Sequence, residues 1–398
     1  MTGKATELID HGYRAPEGFE SPAVPVHKAS TVFFRDVAHL RSQRWVDKSG
    51  YTYGLHGTPT SFMLEQRLAT LEGARHVLLA PSGLSAITLV DQALLAPGDE
   101  MLLPDNVYAP SLNFARHELA RWGITTRLYD PLDVASLRAA INPATRLLWL
   151  EAPGSVTLEF PDLRALVRTA REAGRPDLVL ALDNTWGAGV AFNAFELGEG
   201  LAVDLTVHAL TKYPSGGGDL LMGSVATRND ALHETLAWTH SRLGLGVGAN
   251  DVEAVLRSLP SMPLRYAAQD AAARRIAQWC TQRSEIERVL HPALPGAPGH
   301  EHWAALCSAA AGLLTLEFKV AHTPQQVDAF VDALRRFRIG WSWGGPISLA
   351  VPYDAASMRS LGTPYLGRLV RLCIGLEDVD DLIEDLGQAL GVLAGDAR

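Results

Sequence analysis

The chain has 398 residues, a formal net charge of −9 and a pI of about 5.8. With no basic block to offset the acids, this balance argues against a nucleic-acid or anionic-membrane partner. Hydrophobic residues make up 47% and charged residues 20%, as in folded globular proteins, and the length exceeds one ordinary core, so two domains are expected. The longest apolar stretch, near 77–95, is broken by Pro81, Ser82, Gly83 and Asp91, which rules it out as a membrane span. The opening "MTGKATELID" lacks the apolar run of a signal peptide. The three cysteines, Cys280, Cys307 and Cys373, are odd in number and far apart, and no Cys/His spacing fits a metal site. Together these features point to a cytoplasmic protein without a structural metal.

In chain order, residues 1–57 read as an arm. "HGYRAPEGFESPAVPV" is rich in Pro and Gly, so no regular element is expected there. The arm is too poor in periodic apolar residues to fold alone and is expected to wrap a neighbouring subunit. Residues 58–255 read as a large α/β domain. "SFMLEQRLATLE" has helical spacing. The short apolar runs "HVLLA", "EMLLP", "ITTRL", "RLLWLE", "LVLALD", "DLTVHAL" and "LMGSVAT" alternate with amphipathic stretches such as Leu163–Ala173. This pattern predicts a mostly parallel, seven-stranded, doubly wound sheet, with ligands at the carboxyl ends of its strands. Residues 256–398 read as a smaller α+β domain. It has a long helix over Arg265–Val289, strands "LLTLEF" and "VRLCIG", and a closing acidic helix over Asp378–Leu393.

The strand ends carry the candidate chemistry. "VHALTKYPSGGGD" follows a strand with Thr211, Lys212 and three glycines. Alone the stretch is weak, and a solvated lysine before a flexible loop explains it better. A lysine buried at a strand end, however, loses hydration, its pKa falls, and its neutral amine becomes a nucleophile. "LVLALD" ends in Asp183, which alone reads best as a cap. In "APSGLSA", Ser82, Gly83 and Leu84 would present backbone N–H groups at a helix N-terminus, where phosphate binds. Tyr108 in "DNVYAPS" offers a ring at the same edge. A phosphate cup, an acid and a buried lysine on one sheet edge suit pyridoxal 5'-phosphate.

With these residues in place, the chain resembles the pyridoxal-phosphate enzymes of cysteine and methionine metabolism, which have the aspartate-aminotransferase-like fold type I. The likeness runs through "YGLHGTPT", "LEG", "PSGLSA", "YAPS", "LEAPGSVTLE", "DNTWGAGV", "TKYPSGGGD", "HPALPGAPGHE", "SWGG" and "RLCIGLEDVDDLI", in the family's order and spacing. The "DNTW" to "TKY" interval and the "SWGG" with "IGLEDVDDLI" pair are the specific parts. The resemblance implies that Lys212 forms the Schiff base with the cofactor, Asp183 pairs with its pyridinium nitrogen and Tyr108 stacks on its ring. Ser82, Gly83, Leu84 and Thr211 would then line the phosphate cup. Arg371, beside Ser342 and Trp343, would take the substrate carboxylate through a planar two-bond fork. Tyr53 would reach the phosphate in the neighbouring subunit of a homotetramer built as a dimer of dimers, with a catalytic part for Tyr53 and Tyr108 beside Lys212.

There are two departures from the family pattern. Leu55 stands where the family has an arginine, followed by His56, and the glycine loop reads Gly216, Gly217, Gly218, Asp219 instead of Gly-His-Ser-Asp. Losing a charged phosphate contact costs on the order of 1–3 kcal/mol. The activity implied is carbon–sulfur β-elimination on an amino-acid thioether. Trp343 leans toward β-acting members, although core packing is an even alternative for it. A γ-acting enzyme and a non-catalytic binding protein are the other readings the sequence leaves open.

Overall fold

The computed structural model describes residues 4–9, 16–18, 21, 23–173 and 176–395. Seven strands form the larger sheet: β1 (His76–Ala80), β2 (Glu100–Pro104), β3 (Thr125–Tyr129), β4 (Thr145–Glu151), β5 (Val179–Asp183), β6 (Leu205–Ala209) and β7 (Gly223–Thr227). Their order is β1-β7-β6-β5-β4-β2-β3, and only β7 runs antiparallel to its neighbours. The interior strands are nearly continuous apolar runs because helices cover both faces.

Local chemistry sets the helix ends. Thr58 caps the helix Pro59–Glu72 in a reciprocal pair with Ser61, and Gly73, at φ 75°, ends it in the left-handed conformation that glycine adopts without strain. That helix buries Leu64, Leu68 and Leu71 against one sheet face. The helix Gly83–Leu94 buries Ala86, Ile87, Leu89 and Val90 against the other.

Five further strands, β8 (Ile286–Leu290), β9 (Leu313–Phe318), β10 (Arg338–Ile339), β11 (Leu349–Asp354) and β12 (Arg368–Cys373), form a second sheet in the order β10-β11-β12-β9-β8. The helices Met262–Cys280, Pro324–Ala333 and Val379–Gly395 pack on it through Ile276, Phe330, Leu382 and Leu386.

The helix expected over Arg265–Val289 is corrected here. It ends at Cys280, the chain turns through Arg283, and "IERVL" becomes β8, paired antiparallel with β9. Ile286 and Leu290 are buried while Glu287 and Arg288 are exposed, and pairing with β9, irregular between Ile286 and Arg288, holds the segment extended. The arm also differs in part from expectation. Lys4–Ile9 form a helical turn that buries Leu8 with Leu64 and Leu68 of the same chain. Phe33, Val37 and Leu40 remain exposed. Much of "HGYRAPEGFESPAVPV" lies outside the described residues, and 16–18, 21 and 23–26 contain no helix or strand.

Candidate active site

Because β7 alone is reversed, the carboxyl ends of β1, β6, β5 and β4 meet at one edge. Their exits are Ala80, Ala209, Asp183 and Glu151.

After β1 the chain enters the helix Gly83–Leu94. Ser82 caps it, and its Oγ accepts from the Ser85 N–H at 3.0 Å. Gly83 and Leu84 occupy the first two helical positions, whose N–H groups have no partner within a helix. Such N–H groups are available to an anion. The backbone here is tight, since a Cβ on Gly83 would lie 2.5 Å from the Cβ of Ala209, at the end of β6. Thr211 sits beside Lys212 at the exit of β6. Its hydroxyl donates to the Met222 carbonyl at 3.3 Å and accepts the Met222 N–H at 3.2 Å, so it fastens the Lys212 turn to the entry of β7.

Lys212 points toward the second sheet. Its Nζ donates to Ser342 Oγ at 3.1 Å and lies 5.3 Å from the Trp343 ring centre. Burial, and then the positive charge of Arg371, bring its pKa down to about 8. The amine therefore loses its proton far more readily than a solvated lysine does. The loop 341–344 is seated directly on the Lys212 backbone. Gly344 has φ 79°, and a Cβ there would lie 3.1 Å from the Tyr213 nitrogen. Cys373 Sγ accepts the Gly344 N–H at 3.2 Å, and Trp343 packs edge-on against Tyr213 at 5.6 Å.

Asp183 accepts the Thr185 N–H at 3.0 Å. Burial raises its pKa, while hydrogen bonds from Thr185 and the charges of His208 and Lys212 oppose the rise. Glu151, at the neighbouring strand end, is pushed well above the usual carboxylate range, first by burial and then by Asp183. It accepts the Tyr108 N–H at 2.8 Å and so fixes the start of the helix Ala109–His117. Burial, followed by the charges of Asp183 and Glu151, raises the pKa of the Tyr108 hydroxyl, while Arg371 opposes the rise.

Arg371 is 8% exposed on β12. One terminal nitrogen donates to the carbonyls of Trp341 at 2.9 Å and Ser342 at 3.3 Å. Its Nε is buried without a partner, and none of the ion pairs among the described residues involves it. A buried guanidinium with an idle nitrogen is costly unless an anion completes it. Its face lies 5.5 Å from the Tyr353 ring centre.

Lys212, Asp183, Tyr108, Arg371, Ser342, Trp343 and the Ser82–Leu84 turn thus converge where the two sheets meet. Tyr53 does not join them. It is 46% exposed, and its described contacts are Ser30, Thr31 and His56. His56 next to Leu55 is fully engaged, with Thr52 Oγ1 at 2.8 Å, Ser241 Oγ at 3.1 Å and a stack on Trp45 at 4.1 Å. Burial lowers its pKa, so it supplies no firm positive charge in Leu55's stead. Glu151 and Tyr353 were missed from sequence. Glu151 had a readable signal, because "RLLWLE" ends in an acid just as "LVLALD" does.

The chain belongs to the Cys/Met metabolism PLP-dependent enzyme family, whose sequence profile matches residues 5–391. It is therefore a pyridoxal-phosphate-dependent enzyme. Among its relatives, cystathionine beta-lyase of Bordetella avium is 38% identical over 394 residues, 96% of each chain. Cystathionine beta-lyase MetC of Escherichia coli is 33% identical over 386 residues, again 96% of each. A solved structure of cystathionine gamma synthase from Xanthomonas oryzae pv. oryzae, in complex with aminoacrylate and cysteine, aligns with a TM-score of 0.88. It is 27% identical, and the alignment covers 99% of both chains.

Proposed function

We propose that this enzyme is a carbon–sulfur β-lyase that splits L-cystathionine into homocysteine, pyruvate and ammonia, a step toward methionine. The observation that carries this reading is the pairing of Lys212, with its pKa brought down to about 8, with the buried Arg371, whose Nε has no partner.

The residues fit the cofactor. Lys212 would hold it covalently, the Gly83 and Leu84 N–H groups would take its phosphate, Asp183 its ring nitrogen and Tyr108 its ring face. Bound there, pyridoxal phosphate supplies an electron sink for the charge that develops at the substrate α-carbon. Arg371 forks onto the substrate carboxylate and fixes the α-carbon in front of Lys212. Lys212 Nζ, as a neutral amine, would take the α-proton as general base. Ser342 Oγ, at 3.1 Å, holds that nitrogen in line. The departing sulfur is then protonated by Lys212 or by Tyr108. Trp343 lies against Lys212 and restricts how the substrate side chain can fold back. That restriction favours β- over γ-elimination, which requires a second proton abstraction at the β-carbon.

Tyr53 is exposed and stands apart from Lys212 of its own chain, and Phe33, Val37 and Leu40 are uncovered. These features support a homotetramer in which Tyr53 completes a neighbour's site, and sedimentation would measure it. Among the described residues no helix is long and apolar enough to cross a membrane. The function is tested by incubation with L-cystathionine and identification of the keto acid. Pyruvate is expected, and 2-oxobutyrate would assign a γ-acting enzyme.

A further inference from the structure

Glu72 of "LEG" and His208 of "VHALTK" stand outside the site described above. Each is only 1% exposed, and the two meet, with His208 Nδ1 2.9 Å from Glu72 Oε1. An ionised carboxylate only accepts, so the imidazole donates. Alternation along β5 and β6 puts Leu182, Thr206 and His208 on the sheet face that the helix Pro59–Glu72 covers. Asp183 and Val207 fall on the other face.

Glu72 reaches both strand exits. Its Oε2 accepts Asn184 Nδ2 at 2.8 Å and Thr206 Oγ1 at 3.3 Å. The exits are also laced to each other. Asp183 pairs with Val207, the Asn184 N–H donates to the Val207 carbonyl at 2.9 Å, and Thr185 Oγ1 accepts the Ala209 N–H at 3.0 Å. The Lys212 N–H then donates to the Ala209 carbonyl at 3.0 Å. His208 sits in the middle of this lacing, between the ring-nitrogen acid and the lysine. A buried carboxylate is tolerated where donors and a cation meet it, and Glu72 has both in His208. His208 Nε2 is buried with no partner among the described residues. A buried polar atom left in that state calls for a reason. A proton there meets no local acceptor, so its charge acts on the carboxyl beyond, and the His208 charge does oppose the effect of burial on Asp183.

We propose that Glu72 and His208 are positioning residues for the cofactor: from the far face of the sheet they hold Asp183 in place, and as a carboxylate, against the pyridine nitrogen. The proposal rests on the assignment of Asp183 to that nitrogen. A ring that keeps its proton there accepts electrons, so the pair supports the chemistry without touching substrate or cofactor.

The test measures dissociation constants of the full chain for pyridoxal 5'-phosphate and for its 1-deaza analogue, in which carbon replaces the ring nitrogen. Their ratio isolates what the protein gives to that nitrogen, because the phosphate, ring-face and lysine contacts cancel. His208→Asn keeps a donor toward Glu72 but removes the charge. It should lower the preference for pyridoxal phosphate about tenfold, the scale of one charge acting through a protein. Glu72→Gln, of the same shape, should lower it in the same direction. Thr206→Val removes one bond to Glu72 and no charge, so the ratio should stay as in wild type. Equal weakening of both cofactors in His208→Asn, or an equal fall of the ratio in Thr206→Val, would reduce the pair to packing and overturn the proposal. Should His208→Asn fail to fold by circular dichroism, an unchanged ratio in Glu72→Gln overturns it instead. Asp183→Asn should erase the preference. If it does while His208→Asn keeps the wild-type ratio, only this proposal fails. If Asp183→Asn also keeps that ratio, the assignment of Asp183 fails with it.

Discussion

Truncating Arg371 removes two functions at once. The first is the fork onto the substrate carboxylate. Two charge-assisted hydrogen bonds at about 1.5–3 kcal/mol each come to about 3–6 kcal/mol, or roughly a 150- to 25,000-fold loss in kcat/KM. The second is the tie to the loop. Without Arg371 the carbonyls of Trp341 and Ser342 lose their donor, and Ser342 no longer holds Lys212 Nζ firmly. The loss in Arg371→Ala is therefore expected in kcat as well as KM. A third consequence is electrostatic. Arg371 is the second largest cause of the low Lys212 pKa, after burial. Its removal lets Lys212 stay protonated to higher pH, so the acid limb of the pH–rate profile moves upward. Arg371→Lys keeps a positive charge but not the planar fork. It should leave the pH limb nearer its wild-type place while recovering little of the rate. The assay is pyruvate release from L-cystathionine across pH, with circular dichroism to check the fold. A kcat/KM for Arg371→Ala within about threefold of wild type, less than the loss of even one charged hydrogen bond, would exclude the carboxylate fork.

Other perturbations test the remaining parts. Lys212→Ala should abolish turnover and remove the cofactor linkage that borohydride can trap, with near-normal pyruvate release as the contrary result. Leu55→Arg should slow loss of yellow colour on dialysis, most at low salt where the added charge is least screened. Loss at the wild-type rate would mean that another basic group already serves the phosphate. Asp91 is fully buried, accepts from Trp149 Nε1 at 2.9 Å, and its pKa is raised by burial to about 7. The fold thus binds a proton that the unfolded chain releases near pH 4, and stability declines as pH rises from about 4 through about 7. Asp91→Asn keeps an acceptor for Trp149. It should gain on the order of 2–4 kcal/mol at pH 8, shrinking toward pH 4, in denaturant melts. A gain independent of pH would count against it.

The sheet was legible because its strands are short apolar runs between turn residues, and parallel connectivity then brings their ends to one edge. Lys212 and Asp183 could be singled out for the same reason. β8 was not legible, because "IERVL" pairs with β9 only once the fold brings them together, and the helical run before it gives no warning of the break at Cys280. Tyr353 was hidden by Pro352, which disguises β11 as a loop. Thr211 shows the converse limit. Its position beside Lys212 was plain, but its hydroxyl is committed to Met222 across the glycine loop.

Lys212 as the chemical centre is open to one direct measurement. The yellow holoenzyme is reduced with borohydride, digested, and the pyridoxyl-bearing peptide identified by mass. A single adduct is expected, on Lys212 in "ALTKYPSGGGD". An adduct on any other lysine, or none from a fully yellow sample, would contradict it.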